Sequence, residues 1–421
     1  MLGFDNNFIL LLGAVIFLIA FLKTDFALII LIFSMLLSPE LEVGAIPARA
    51  IIIRADDIFL IVVFLGWLAK MAINKELGLI RSNPLNRVIL IYILIYTLAT
   101  IFGAMKGYLK LQSGVFYLLK YFEYFLLFFM VFNNIKNINQ IRVFVFFMLL
   151  VSLIVSLYAW KLHLSGVGRV TAPFDTEGEA NTLGGYLILI IMLVSALLFN
   201  LSSFSERIFL FICLFFAIPA LLFTLSRGSW LGFIVAVVAL FFLTPRRKVI
   251  ISLFIVAGIM FLPIILPSYV KERIRTTFVQ GRQYEVLGRR FKLDESASAR
   301  IESWSQSYKR LMKEPFLGYG AGSVNVVDNQ YSRVMIESGI LGFLAFFWLM
   351  VEIFRNSLLS LMKLKDEPFA CGLIAGFLAG FFGLLAHSLS AASFIIIRIM
   401  EPFWFLMALV IALPEVYAFE K

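Results

Sequence analysis

Long apolar runs alternate with short polar breaks over almost the whole chain. A bilayer crossing takes about 20 apolar residues. On that measure runs fall near 8–22, 25–37, 58–73, 88–104, 114–132, 143–161, 183–200, 207–223, 229–243, 249–266, 335–354, 369–387 and 397–418. The pattern predicts an all-α polytopic membrane protein of about 12–14 transmembrane helices, thirteen on a direct count with 25–37 as the short one. The run "FILLLGAVIFLIAFL" (8–22) has no basic stretch before it and no small-residue cleavage site, so it reads as the first span. No internal or inverted repeat is evident. Residues 1–421 read as a single membrane domain, with 267–334 as its one large hydrophilic insertion.

Composition agrees: 62% of the 421 residues are hydrophobic and 15% charged. Cys213 and Cys371 lie inside apolar runs and read as buried free thiols, with no disulfide framework or cysteine metal site. The formal net charge is +10. Nucleic acid is a poor partner for a chain so embedded in lipid, whereas anionic headgroups or a phosphate-bearing substrate suit the charge. Basic residues in short loops set orientation. "NKELGLIRSNPLNR" (74–87), "TPRRK" (244–248) and "RNSLLSLMKLKDEP" (355–368) agree in parity and belong in the cytoplasm. That places 38–57, 105–113, 162–182, 226–228, 267–334 and 388–396 outside. Residues 267–334 hold twelve Lys or Arg against seven Asp or Glu, and loops of this length translocate largely regardless of charge. Within them, 271–287 and 298–313 both read as amphipathic helices. In the second, Ile301, Trp304, Tyr308 and Leu311 form an apolar stripe suited to the membrane surface.

Familiar soluble-enzyme motifs are missing. There is no P-loop or dinucleotide fingerprint, which argues against ATP or NAD, and no cofactor is expected. His163 and His387 are the only histidines and are far apart in sequence. Asp56 and Asp57 in "RADD" offer paired carboxylates for a divalent ion. The stronger reading makes Asp57 a helix cap. More informative are arginines on the expected outer side: Arg227 in "TLSRGSW", Arg169 in "GVGRVTAPFDTEGEANTLGGY" with Asn181 near its end, and Arg300 at the start of the amphipathic stripe. Singly each fits snorkelling, a loop or a solvated face. Together they favour an anion site, since guanidinium matches phosphate oxygens with paired hydrogen bonds. Lys120 with Glu123, and Arg398 with Glu401, sit three apart on helices and read as neutralising intramembrane pairs. The second pair lies near the outer face and is a candidate to line the same cavity.

One segment poses a question of its own. "PFLGYGAGSVNVV" (315–327) runs into "DNQYSRVMIESGILGF" (328–343), which sets Asp328, Asn329, Arg333 and Glu337 at the start of a span. Such polar groups at a bilayer boundary need a purpose.

Taken with "TLSRGSWLGF" (224–233), "SARIESW" (298–304), "GRVTAPF" (168–174) and "EANTLGGYL" (179–187), this ordered set resembles the O-antigen ligase and O-antigen polymerase superfamily of bacterial envelope glycan assembly. The resemblance implies a glycosyltransferase of the bacterial cytoplasmic membrane, active on its extracytoplasmic side without metal or nucleotide. Its donor is a glycan on a polyprenyl pyrophosphate carrier, typically undecaprenyl; its acceptor is a glycan or lipid hydroxyl. Membrane lipids are partners, and a chain-length regulator is an optional one. Arg227 and Arg300 match the arginines expected at the pyrophosphate, and Asp328 or Glu337 is the candidate base. Arg169, Asn181, Asn329, Tyr331, Arg333, Arg398 and Glu401 are candidate substrate contacts. Ligases typically show His-Asn-x-Tyr where this chain has Asp328-Asn329-Gln330-Tyr331, which favours a polymerase of repeat units. The alternatives are ligase-type transfer to a lipid, protein or wall acceptor, and a flippase for the same lipid-linked sugar.

Overall fold

A computed structural model describes residues 6–46, 49–73, 81–174, 179–244, 248, 271–272, 275, 282–286, 289–293, 295–324 and 329–420. Among them run thirteen helices: α1 Asn6–Leu22, α2 Thr24–Leu37, α3 Ala55–Ile73, α4 Asn86–Met105, α5 Leu111–Asn134, α6 Ile138–Leu164, α7 Ala180–Asn200, α8 Phe204–Phe223, α9 Arg227–Leu243, α10 Glu295–Lys313, α11 Gln330–Lys363, α12 Pro368–His387 and α13 Ile397–Glu420. All but α10 coincide with expected spans, and the remaining expected span, 249–266, lies outside the described residues. Eight of the helices are long and apolar enough to cross a membrane. Helices α2 and α9 are shorter, and α3 carries Asp56, Asp57 and Lys70.

Two small antiparallel ladders lie outside the helical body: β1 (Glu40–Ile46) with β2 (Arg49–Arg54), and β3 (Arg282–Val286) with β4 (Arg289–Leu293). The second corrects the expectation of a helix over 271–287 at its end, 282–286, whereas residues 271–272 and 275 are helical. Tyr284 pairs with Phe291, and Val286 with Arg289. A period of two bounded by a glycine is a hairpin pattern, and across 282–293 it outweighs the helical one.

Helix α12 is the spine of the bundle. Gly372, Gly376 and Gly380 recur every four residues against α7, where a Cβ at Gly376 would stand 2.6 Å from Leu193 Cα. On the side facing α9, a Cβ at Gly383 would meet Ala236 Cβ at 2.8 Å and the Gly232 carbonyl at 3.0 Å. Small residues replace the hydrophobic driving force that helices lack inside lipid, because they let backbones approach and dispersion contacts accumulate. Most residues of α7 and α12, and nearly all of the first half of α13, are buried as a result.

Helix α11 is broken at Gly339, whose φ of 64° and ψ of −163° leave the helical region. Residues 315–322 hook into the break. Tyr319 and Gly320 N–H donate to the Ile336 and Glu337 carbonyls (both 2.8 Å), while Ile340 N–H donates to the Pro315 carbonyl (2.7 Å). A break inside a membrane helix frees backbone groups that lipid cannot satisfy, and the hook supplies their partners. Thr100 of α4 ties the hook to the bundle by accepting from Ala321 N–H at 3.1 Å. Outside it, Glu314 accepts from Lys106 (2.6 Å) and from the Tyr108 hydroxyl.

The stripe expected on α10 is divided. Ser307 and Leu311 face inward and Arg300 is half-buried, whereas Trp304, Tyr308 and Met312 are exposed. At 100° per residue, positions 300, 307 and 311 share a line and 308 and 312 do not.

Candidate functional site

The Ser-Arg-Gly turn between α8 and α9 is the best-connected loop at one end of the bundle. Thr224 closes α8, Leu225 takes a left-handed φ of 49°, and Ser226 caps α9 by accepting from Ser229 N–H at 3.2 Å. Capping by Ser226 makes Arg227 the first helical residue, half-buried at the positive end of α9. From Ser226 a line of side-chain hydrogen bonds runs both ways. Its hydroxyl donates to Asn181 Oδ1 of α7 (2.7 Å) and accepts from the Ser229 hydroxyl (2.7 Å). Ser229 Oγ is then left to accept from His387 Nε2 (3.2 Å), and His387 Nδ1 to accept from the Ser393 hydroxyl (2.8 Å). This network assigns the neutral Nε2–H tautomer to the imidazole. His387 is wholly buried. The charge of Arg300 on α10 reaches this ring, which puts the inward side of α10 toward the same end of the bundle.

The loop 166–174 folds over the same turn. Val170 N–H donates to the Phe223 carbonyl and Arg169 Nε to the Thr224 carbonyl, both at 3.3 Å. Farther along, Arg398 of α13, 3% exposed, donates to the Pro173 carbonyl and to the Phe174 carbonyl (3.1 Å). Phe174 itself has φ of 56°. Among the described residues, Phe174 and Leu225 are the non-glycine residues with positive φ, and both stand at this site. Backbone strain of this kind persists where function requires it and the surroundings enforce it.

Next to it lies the polar start of α11. Asn329 is the N-cap, accepting from Ser332 N–H (3.0 Å), and its amide donates to the Leu389 carbonyl (3.0 Å). The Tyr331 hydroxyl donates to the Leu385 carbonyl (2.7 Å). Glu337 is wholly buried and engaged on both oxygens: Oε1 accepts from Arg333 Nε (3.2 Å) and Gly322 N–H (3.1 Å), Oε2 from the Tyr121 hydroxyl (2.8 Å). Asp328 lies outside the described residues.

A second polar centre links α3, α5 and α13. Arg54 grips Asp56 and lies 3.6 Å from Glu401. Lys120 contacts Asp57 and is 3.9 Å from Glu123. Two expectations are corrected here. Asp57 is not the cap of α3 but a first-turn residue that reaches back to accept from Arg54 N–H (3.0 Å). Glu401 faces Arg54 rather than forming a pair with Arg398, which is turned toward the 173–174 carbonyls.

Residues 209–347, about a third of the chain, match the profile of the family described as O-antigen ligase. That segment contains the Ser-Arg-Gly turn, α10, the hook and the broken start of α11. The match supports membership of the O-antigen ligase and polymerase superfamily. The eight apolar helices of membrane-crossing length fit the multi-pass setting of that superfamily. None of the curated proteins compared with the chain matches it. The superfamily segment stops short of His387 and Arg398, two residues that complete the site from α12 and α13. The serine-rich run "HSLSAAS" (387–393) was the sequence signal for His387, because a hydroxyl clustered near a histidine can partner one ring nitrogen, as Ser393 does.

Proposed function

We propose that the protein polymerises lipid-linked glycan repeat units, transferring glycan from a polyprenyl pyrophosphate of the undecaprenyl type to a sugar hydroxyl. The hydroxyl oxygen attacks the anomeric carbon of the donor. The bond from that carbon to the phosphate oxygen breaks, and the pyrophosphate leaves with the electron pair. Arg227 and Arg300 stabilise the charge that gathers on it, with Arg169 and Arg398 holding the loop above. The supporting observation is the hydrogen-bonded line that ties the Ser-Arg-Gly turn through Ser226 and Ser229 to Asn181 and His387, groups distant in sequence. Asp328 takes the hydroxyl proton, a role assigned from its motif position. Glu337 suits anchoring better than proton transfer, since three donors already hold it.

Ligase-type transfer is the second reading, favoured by the description of the matching family. Asp328 in place of the ligase histidine tips the balance to polymerase. Purified protein supplied with lipid-linked repeat units is expected to give a ladder of products. A single transfer to a second acceptor, with no ladder, would establish the ligase reading instead.

The reaction is assigned to the outer face of the cytoplasmic membrane, because the basic loops 74–87, 244–248 and 355–368 belong inside. Ser305 is exposed on α10. Ser305→Cys in intact cells is expected to react with a membrane-impermeant maleimide. Reaction only after permeabilisation would reverse the orientation.

A further inference from the structure

Phe174 combines three properties that stability does not explain. Its side chain is 55% exposed, its backbone is left-handed, and its own carbonyl and that of Pro173 are gripped by the buried Arg398. A bulky L-residue in this conformation crowds its Cβ against the following carbonyl, and the exposed ring returns little burial to offset that. The loop is pinned on both sides of Phe174. Arg169 and Val170 hold it to the end of α8, Arg398 holds it to α13, and Asn181 beyond it holds Ser226. The backbone that carries the ring is therefore held in the loop that covers the Ser-Arg-Gly turn.

We infer that Phe174 is a carbohydrate platform: its ring stacks on a sugar of the lipid-linked glycan whose pyrophosphate lies at Arg227 and Arg300. A pyranose presents a face of C–H groups, and an aromatic face is negative at its centre, so the two stack with dispersion and loss of water on both sides. An aromatic ring beside an arginine-lined anion site matches a ligand with a sugar joined to a pyrophosphate. This platform rests on the proposed function, since it takes the same donor. The rival role for an exposed ring is a lipid anchor at the membrane interface. An anchor needs hydrophobic area alone and would not require the ring to be held by strained backbone at the site.

Binding to purified protein separates these cases, using polyprenyl pyrophosphate with and without its oligosaccharide. Phe174→Leu keeps apolar area and removes the aromatic face. It is expected to weaken the glycan-bearing carrier about ten-fold and to leave the bare carrier unchanged. Phe174→Trp is expected to keep affinity and to change its emission on adding the glycan-bearing carrier but not the bare one. Phe174→Gly is expected to melt no lower than wild type, because glycine accepts this φ. Wild-type binding of both carriers by Phe174→Leu would overturn the platform, as would an equal loss on both. A lower melting point for Phe174→Gly would assign the ring to the fold instead. Arg227→Ala, measured in parallel on the bare carrier, isolates the underlying reading: unchanged binding there defeats the anion site whatever Phe174 does.

Discussion

Arg227→Ala and Arg300→Ala are each expected to lower turnover on a defined lipid-linked donor by roughly ten- to hundred-fold. A charge-assisted hydrogen bond contributes about 1.5–3 kcal/mol, and about 1.4 kcal/mol is a factor of ten. The loss falls partly on binding of the pyrophosphate and more heavily on turnover, since charge on the leaving oxygen peaks in the transition state. Arg→Lys restores part of the rate, keeping the charge without the paired geometry. Position supports the expectation for Arg300 in particular. It shares the inward line of α10 with Ser307 and Leu311, whereas a solvated-face arginine would share the side of Tyr308 and Met312. Near wild-type rates for both alanine variants, at matched expression, would end the assignment of the pyrophosphate to these residues.

Gly339→Ala is expected to abolish folded protein, read as loss of the monodisperse peak when detergent extracts are sized. The conformation at Gly339 is open only to glycine, and a side chain there costs about 1–3 kcal/mol in backbone strain alone. Packing adds to this. A Cβ would stand 2.3 Å from the Phe316 carbonyl oxygen and 2.4 Å from its carbon, and both are backbone atoms that cannot step aside. Gly318→Ala meets the same difficulty from the other side, at 2.3 Å from the Ile336 carbonyl with φ of 63°. Gly342→Ala meets a clash as well, since a Cβ there would stand 2.2 Å from Ser338 Cβ, which turning the hydroxyl does not move. A monodisperse, active Gly339→Ala protein would show that the hook does not need its present geometry.

Periodicity made the spans legible, because an apolar run of bilayer length has few other uses. The arginine and glycine motifs were legible too, since Ser-Arg-Gly in a short turn and glycines before a polar helix start are local features. What sequence spacing could not give is which distant group each polar residue meets. Arg398 and Glu401 have the spacing of a helix pair, yet the 173–174 carbonyls and Arg54 arrive from elsewhere in the chain. His387 pairs with Ser229 across 158 residues, and nothing near either one forecasts the contact. The hairpin at 282–293 was missed because a basic, mixed segment satisfies both periods over so short a length. On α10, Trp304 and Tyr308 look like core by type, but tertiary packing turned Arg300 and Ser307 inward instead.

The hook also has a consequence for synthesis. Its hydrogen bonds join 315–320 to 336–341, partners close in sequence, so the loop-closure entropy is small and the knot of backbone can form as soon as both ends have emerged. Its anchors are of another kind: Thr100 and Tyr121 were made some two hundred residues earlier and are already in the membrane. Maturation of this end of the protein then has two separable stages, a fast local closure followed by docking onto helices inserted long before. A chain whose translation stops before residue 341 holds α4 and α5 with their sockets for the hook unfilled.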